Sequence, residues 1–251
     1  ISDLIAAAMV DDGLSPQEAA DRIWLLDRPG LLTSDMDGLH DYQIPYAKDP
    51  STVEGWAGEN GIQLKEVVDN LHPTMLVGTS GVTGAFSQAI IESMHAHCER
   101  PIILPMSNPT ILAEQTPENL IRWTNGAALV ATGSPFDPVD YNGTTYRIGQ
   151  ANNALLFPGL GLGTIVCRAS QMTQAMFLAG ARALAGLADA ADPTKGLLPD
   201  IGRLREVSAT VAVDVIKAAG AAGVARTEVT DPIEAVQKAM WEPEYPRISL
   251  T

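Results

Sequence analysis

Along residues 64–132 the apolar positions alternate between short solid runs and helical spacing. Residues 64–71 read as a helix stopped at His72-Pro73, because a proline disfavours helical backbone at the residue before it. A strand over 74–77, a helix over 86–97, a strand over 102–106, a helix over 117–124 and a strand over 128–132 follow. Strands alternating with helices of about ten residues predict an α/β domain with a parallel sheet and helices on its faces. Ahead of that block, Ile1, Leu4, Ile5 and Ala8 have helical spacing with nothing before them to cap the first turn. The expectation is a chain that begins inside a helix of a longer polypeptide, with a first strand and glycine turn upstream. Ser15-Pro16-Gln17-Glu18 carries the cap, proline and acid of a short helix, and residues 22–27 read as a strand closed by Asp27 and turned by Arg28-Pro29-Gly30. Residues 31–61 read as loop with one helical turn. From Pro158 the pattern is helical only, over 163–172, 173–187, 204–219 and 232–240. The expected division is therefore 1–152 for the α/β domain and 153–251 for C-terminal helices and tail.

Composition narrows the function. With 16 Lys and Arg against 30 Asp and Glu the chain carries −14, a field that repels a phosphate backbone and an anionic bilayer alike. No nucleic-acid or membrane partner is expected. No apolar run reaches the roughly 18 residues of a membrane-spanning helix, and no basic segment precedes an apolar one at the start, so the expected setting is cytoplasmic. Cys98 and Cys167 form no C-x-x-C pair and are expected as free thiols.

The first candidate for chemistry is Gly78-Thr79-Ser80-Gly81-Val82-Thr83-Gly84, between an apolar strand and a helix. Glycines there let backbone N–H groups at a helix N-terminus approach a phosphate or cofactor. The spacing is G-x-x-G-x-x-G rather than G-x-G-x-x-G, and a tight strand-to-helix turn would look the same. Asp27 falls where a doubly wound nucleotide fold keeps the acid that binds the adenosine ribose, although a turn acid has the same appearance. Ser107-Asn108-Pro109-Thr110 follows a strand directly, where ligands of open sheets gather, and an Asn amide both donates and accepts; a plain Asn-Pro turn is the alternative. Asn152 and Asn153 add two amides in a polar loop that is hard to place on a solvated face. Pro158-Gly159-Leu160-Gly161-Leu162-Gly163 reads as close helix packing, because no strand-then-helix unit surrounds it. His95 with Cys98, and Asp35-Met36-Asp37-Gly38, lack the further ligands of a metal site.

Taken in order, residues 24–32, the G-T-S-G-V-T-G loop, Arg100-Pro101-Ile102-Ile103 running into S-N-P-T, Ala131-Thr132-Gly133-Ser134-Pro135-Phe136, and residues 150–158 resemble malic enzyme over essentially the whole chain. The resemblance implies a Rossmann-like, doubly wound parallel sheet followed by helices that pack on a catalytic domain. It implies NAD-dependent oxidative decarboxylation of malate to pyruvate and carbon dioxide, in a homo-oligomer, dimer or tetramer. It carries Asp27, with Arg28 beside it, to the adenosine ribose, and Gly78, Thr79, Ser80, Gly81 and Gly84 to the cofactor loop. Ser107, Asn108 and Asn152 go to the cofactor, and Asn108, Asn152 and Asn153 to malate. The Lys base, the Tyr acid and the carboxylates that bind Mg or Mn belong upstream, so no catalytic or metal residue is assigned and these 251 residues alone are expected to be inactive. The acid at Asp27 implies NAD over NADP. Malolactic enzyme, which releases lactate, and a non-catalytic dinucleotide-binding module are the alternative readings.

Overall fold

The computed structural model describes residues 1–242 except 57, 59, 190 and 193. The chain divides into two compact units, one formed by Ile1–Asn152 with Ala188–Asp200, the other by Asn153–Leu187 with the residues from Ile201 onward.

The first unit opens with helices α1 (Ser2–Asp11) and α2 (Pro16–Asp21). Ser15 caps α2 by accepting from the Glu18 amide, while the Glu18 carboxylate accepts from the Ser15 amide. Of the strand expected over 22–27 only β1 (Leu26–Asp27) forms, paired antiparallel with β2 (Gly30–Leu31). Arg28-Pro29 and Gly30 reverse the chain at once. Gly30 has a φ of +105°, and a Cβ there would lie 2.4 Å from the Ile62 carbonyl oxygen, so a side chain is excluded on both counts. The polar stretch that follows contains two short 3-10 turns, Ile44–Tyr46 and Pro50–Val53. Lys48, only 8% exposed, donates at 3.0 Å to the carbonyls of Ala20 and Asp21 at the end of α2 and lies 4.9 Å from the Trp24 ring, which stacks on Trp56. Burial lowers its pKa, and the nearby Asp21 only partly opposes that shift.

Helix α3 (Leu64–Leu71) ends, as its proline predicts, with His72 in the left-handed region. Strand β3 (Met75–Gly78), helix α4 (Gln88–His97), strand β4 (Ile102–Pro105), helix α5 (Pro117–Trp123) and strand β5 (Leu129–Thr132) then alternate. The hairpin of β6 (Val139–Tyr141) and β7 (Thr144–Tyr146) precedes β8 (Gly149–Gln150). β3, β4, β5 and β8 form a parallel sheet in that order. It is a Rossmann-like arrangement with flanking helices. Leu76, Ile103 and Val130 stand in register across three strands and therefore share one face. With Val68 of α3, Ile90, Ile91 and Met94 of α4, and Leu120 and Ile121 of α5 they form the main core. Phe86, which the sequence pattern places inside α4, stands ahead of the helix and fills that core at 3% exposure.

The second unit contains α6 (Phe157–Val166), α7 (Gln174–Ala185), α8 (Leu204–Ala221) and α9 (Pro232–Ala239). The helix expected over 163–172 starts six residues earlier and stops at Val166. Its glycines are packing contacts. A Cβ on Gly159 would lie 2.6 Å from Val211 Cβ, and one on Gly163 would lie 2.7 Å from the Ala212 carbonyl oxygen, so α6 rests on α8 almost backbone to backbone. Val207, Val211 and Val215 run along α8 at helical spacing and are completely buried. Among the described residues no helix is long and apolar enough to cross a membrane.

Candidate functional site

The carboxyl ends of the parallel strands are stitched together before any ligand is considered. Met106 N–H donates to Gly78 O at 2.8 Å, Gly133 N–H to Pro105 O at 3.1 Å and Ala151 N–H to Thr132 O at 2.8 Å. These bonds join the chain leaving β3, β4, β5 and β8, so the segments after the four strands are held side by side. That is the edge at which open α/β sheets bind ligands.

The segment after β3 is the glycine loop. Thr79, Ser80, Val82, Thr83 and Gly84 are exposed, and Gly81 is half-buried. Gly81 and Gly84 have φ of +67° and +79°, and a Cβ on either would meet nothing within 4 Å. The loop differs from the expectation in one respect. Helix α4 begins only at Gln88, and the loop amides point inward to a carboxylate instead of lying at a helix N-terminus. Glu114, fully buried, accepts from Ser80 N–H at 2.7 Å, Ser80 Oγ at 2.9 Å, Gly81 N–H at 3.3 Å, Ser107 N–H at 3.3 Å and Ser107 Oγ at 2.5 Å. Gly81 N–H also donates to Ser107 Oγ at 2.9 Å. Burial pushes the Glu114 carboxyl up, but the hydrogen bonds from Ser107, its own backbone and Ser80 outweigh it and leave it below the ordinary Glu value. Gly78 is needed beneath this group, because a Cβ there would come within 2.6 Å of the Glu114 carboxyl carbon.

The segment after β4 carries Asn108, exposed, with a cis peptide bond to Pro109. Its Oδ1 accepts from Ser134 Oγ at 2.5 Å, and its Nδ2 donates to Met106 O at 3.4 Å. Ser134 lies just after β5 and is held by its own carbonyl, which accepts from the buried Thr132 hydroxyl at 2.7 Å. Gly133 lets these segments approach, because a Cβ there would lie 2.1 Å from Met106 O. The amide is thus oriented from both ends, yet its oxygen keeps a second lone pair and its nitrogen a second proton for a ligand.

Asn152 and Asn153 are both exposed, contrary to the expectation that they would be hard to place on a solvated face. The apolar residues after them turn inward at Leu155, 1% exposed, while the amides stay at the surface. Asn152 follows β8 at the carboxyl edge, its N–H donating to Gln150 O at 3.0 Å; Asn153 belongs to the second unit. Asp27 and Arg28 are exposed on the separate β1–β2 hairpin. The Asp27 carboxylate accepts from Arg28 N–H at 2.8 Å and from Gln43 Nε2 at 3.1 Å, which fixes it at the turn. The sheet therefore gathers Gly78, Thr79, Ser80, Gly81, Gly84, Ser107, Asn108 and Asn152 on one edge, and does not carry Asp27 and Arg28.

Sequence reading missed Glu114 and Ser134. Ser134 had a signal in its position just after a strand and beside a glycine. Glu114 had none, since an acid two residues before the cap Thr116 of a short helix looks like any solvated turn acid. Among the described residues no group of three or more His, Cys, Asp or Glu is arranged to hold a metal ion, and Cys98 and Cys167 are free. The exposed loop with open space over Gly81 and Gly84, beside an oriented amide, fits a ligand that needs close backbone approach and both donor and acceptor partners.

Comparison with known proteins identifies the family and the fold. The family model described as malic enzyme, NAD binding domain, matches residues 1–220. NAD-dependent malic enzyme 3 of Bacillus subtilis (strain 168) is 54% identical over 248 residues, 98% of this chain and 44% of that protein. NAD-dependent malic enzyme of Sodalis glossinidius (strain morsitans) is 46% identical over the same 98% and 44%. The chain thus spans less than half the length of these relatives. Among solved structures, Entamoeba histolytica malic enzyme superposes with a TM-score of 0.70 at 24% identity, over 93% of this chain and 43% of the other, which establishes the shared fold.

Proposed function

Because the chain belongs to the family of malic enzyme NAD-binding domains, we propose that it is the cofactor-holding half of an enzyme that oxidises and decarboxylates malate to pyruvate and carbon dioxide. The observation that carries this reading is the oriented Asn108 amide, tied to Ser134 at 2.5 Å and standing on the same strand edge as the open glycine loop. In this reading residues 79–84 border the dinucleotide, and Gly81 and Gly84 keep its path free of side chains. Asn108 uses its free lone pair and proton to orient the nicotinamide carboxamide or the malate carboxylate, and Asn152 adds an amide for the same ligands. NAD, when bound, supplies the electron-pair acceptor for the oxidation at malate C2. Proton transfer and the divalent Mg or Mn ion belong to residues outside this chain, a homo-oligomer rests on the resemblance alone, and a cytoplasmic setting rests on the sequence pattern.

Asn108→Ala in the complete polypeptide tests the reading. It removes the acceptor of Ser134 and the ligand's amide partner, each a loss of about 1–3 kcal/mol when buried by ligand, so kcat/KM for malate should fall about tenfold or more. Calorimetric titration of NAD should show the matching loss in affinity, and the wild-type product should be pyruvate. Unchanged NAD affinity together with unchanged kcat/KM would reduce Asn108 to a turn residue, and lactate as the product would replace the proposed reaction with the malolactic one.

A further inference from the structure

A phosphate-binding glycine loop leaves its amide N–H groups free for the ligand. Here the N–H groups of Ser80 and Gly81 are already taken, that of Ser80 by a carboxylate of the same chain and that of Gly81 by the same carboxylate together with the Ser107 hydroxyl. We propose that Glu114 is a built-in anion that holds the glycine loop in its cofactor-ready shape, so that Ser80 and Gly81 act as the loop's anchor and not as its phosphate contact.

The donor set leaves little chemical latitude. Five groups, the N–H and Oγ of Ser80, the N–H of Gly81 and the N–H and Oγ of Ser107, all converge on the two Glu114 oxygens. The three amides can only donate. A neutral carboxylic acid would aim its own proton at donors, and so would the amide group of Gln, whereas an ionised carboxylate accepts from every one of them. The bonds also link distant parts of the chain, since Ser80 follows β3 and Ser107 follows β4, while Glu114 lies seven residues further on. Flanking contacts hold the same crossing in place. Phe86 N–H donates to Glu114 O at 3.2 Å, Gln115 Nε2 donates to Phe86 O at 3.1 Å, and Thr83 Oγ donates to Ile111 O at 2.5 Å. Residues 110–115 thus brace the glycine loop from one side, leaving Gly81 and Gly84 facing open space on the other. Glu114 is a positioning residue: it is completely buried behind the loop and acts on a ligand only through the loop's shape.

The assignment of the ligand rests on the function proposed above, whereas the anchoring of the loop does not, and two readouts separate them. Amide hydrogen exchange at residues 79–84 of the complete polypeptide without cofactor reports the anchor; calorimetric NAD affinity reports its use. Glu114→Gln should raise exchange at Ser80 and Gly81 by about tenfold or more while protection in β4 and β5 stays as in wild type, and should weaken NAD about tenfold. Unchanged exchange at Ser80 and Gly81 overturns the anchor, and raised exchange with unchanged NAD affinity overturns its role in cofactor binding. A wild-type protein that does not bind NAD defeats the functional reading, and the exchange comparison still decides the anchor. Should Glu114→Gln fail to fold, Glu114→Ala grown and assayed in acetate takes its place, because acetate replaces the deleted methylene and carboxylate. Recovery of loop protection by acetate but not by neutral acetamide supports a built-in anion; equal effects of the two, including none, overturn it.

Discussion

The glycines of α6 allow packing to be separated from helix propensity within one turn of one helix. Gly159, Gly161 and Gly163 all lie inside Phe157–Val166, so an alanine at any of them gains about 0.5–1 kcal/mol of helix propensity. A Cβ on Gly161 would meet nothing within 4 Å, so that gain should appear undiminished. A Cβ on Gly163 would stand 2.7 Å from the Ala212 carbonyl oxygen and 2.9 Å from Val215 Cβ, both fixed parts of α8 rather than the end of a flexible side chain. Optimal heavy-atom separation is about 3.5–4.0 Å, so the helices must part by most of an ångström, and overpacking of this kind costs about 1–3 kcal/mol. The propensity gain cancels between the two variants, and the difference in their stabilities measures packing alone. At about 2–4 °C per kcal/mol for a chain of this size, Gly161→Ala should melt roughly 2–12 °C above Gly163→Ala. Gly159→Ala should fall with Gly163→Ala, since its Cβ would lie 2.7 Å from Ser208 O. Calorimetric or circular-dichroism melts of the three variants decide the matter, and equal melting temperatures for Gly161→Ala and Gly163→Ala would show that α6 does not rest on α8 through these glycines.

The phenol of Tyr46 is 4% exposed and donates to the Asp3 carboxylate at 2.6 Å; burial first and then that bond push its pKa up to about 12. A raised folded-state value means stability present below the ordinary value of 10.0 and lost as pH rises through about 12, so ultraviolet titration should show a late phenol that Tyr46→Phe removes, with about 0.5–1.5 kcal/mol lost at neutral pH. The lowered Glu114 value has the opposite sense: its contribution is complete above the ordinary Glu value and disappears as pH falls through the lower folded value. Exchange protection at Ser80 and Gly81 should therefore be constant from neutral pH down to about 5 and fail only in more acid solution, and loss already near neutrality would contradict an ionised, donor-saturated carboxylate. In the complete polypeptide, on the proposal that Asp27 faces the adenosine ribose, Asp27→Ser should narrow the preference for NAD over NADP, because a carboxylate there would accept from a free ribose hydroxyl and repel a phosphate; a wild-type NADP preference abolished by Arg28→Ala would assign the ribose contact to Arg28 instead.

The alternating strands and helices from residue 64 to residue 132 were legible because periodicity reports burial directly. Leu76, Ile103 and Val130 must be apolar if three neighbouring strands share a covered face, and the structure puts them in register. The Asn108 position was legible for a related reason, since a polar amide just after an apolar strand has few other places to be. Contacts that cross between segments were not legible. The bond from Ser80 N–H to Glu114 spans 34 residues and leaves no periodic trace, so the glycine loop reads as an open cradle although the amides of Ser80 and Gly81 are occupied. The same limit moved α6. Glycine lowers helix propensity, and the sequence pattern starts the helix only at Gly163, whereas close packing on α8 decides where it forms. Asp27 was placed on a longer strand because nothing in residues 22–27 reveals that Gly30 must pass within reach of the Ile62 carbonyl.

A chain of formal charge −14 that holds an anionic dinucleotide needs a site whose local chemistry departs from its average charge. Several of its cations are spent elsewhere, in exposed pairs such as Lys65 with Asp69, Arg122 with Glu118, Lys217 with Asp214 and Lys238 with Glu234, where they neutralise neighbours on their own helices. Pairs of that kind contribute little to stability and project little field. Ser80, Ser107, Asn108, Ser134 and Asn152 at the strand ends are neutral, and the charge of Glu114 is met by five donors before it reaches the loop surface. Neutral amides and hydroxyls act through directed bonds over about 3 Å, whereas an exposed charge in salt acts over a Debye length of about 8–10 Å. On the proposed function, recognition at this edge would depend on position more than on potential. The stitching of Met106 to Gly78, Gly133 to Pro105 and Ala151 to Thr132 would then serve the proposed function as well as the fold, because it fixes the neutral groups at one spacing.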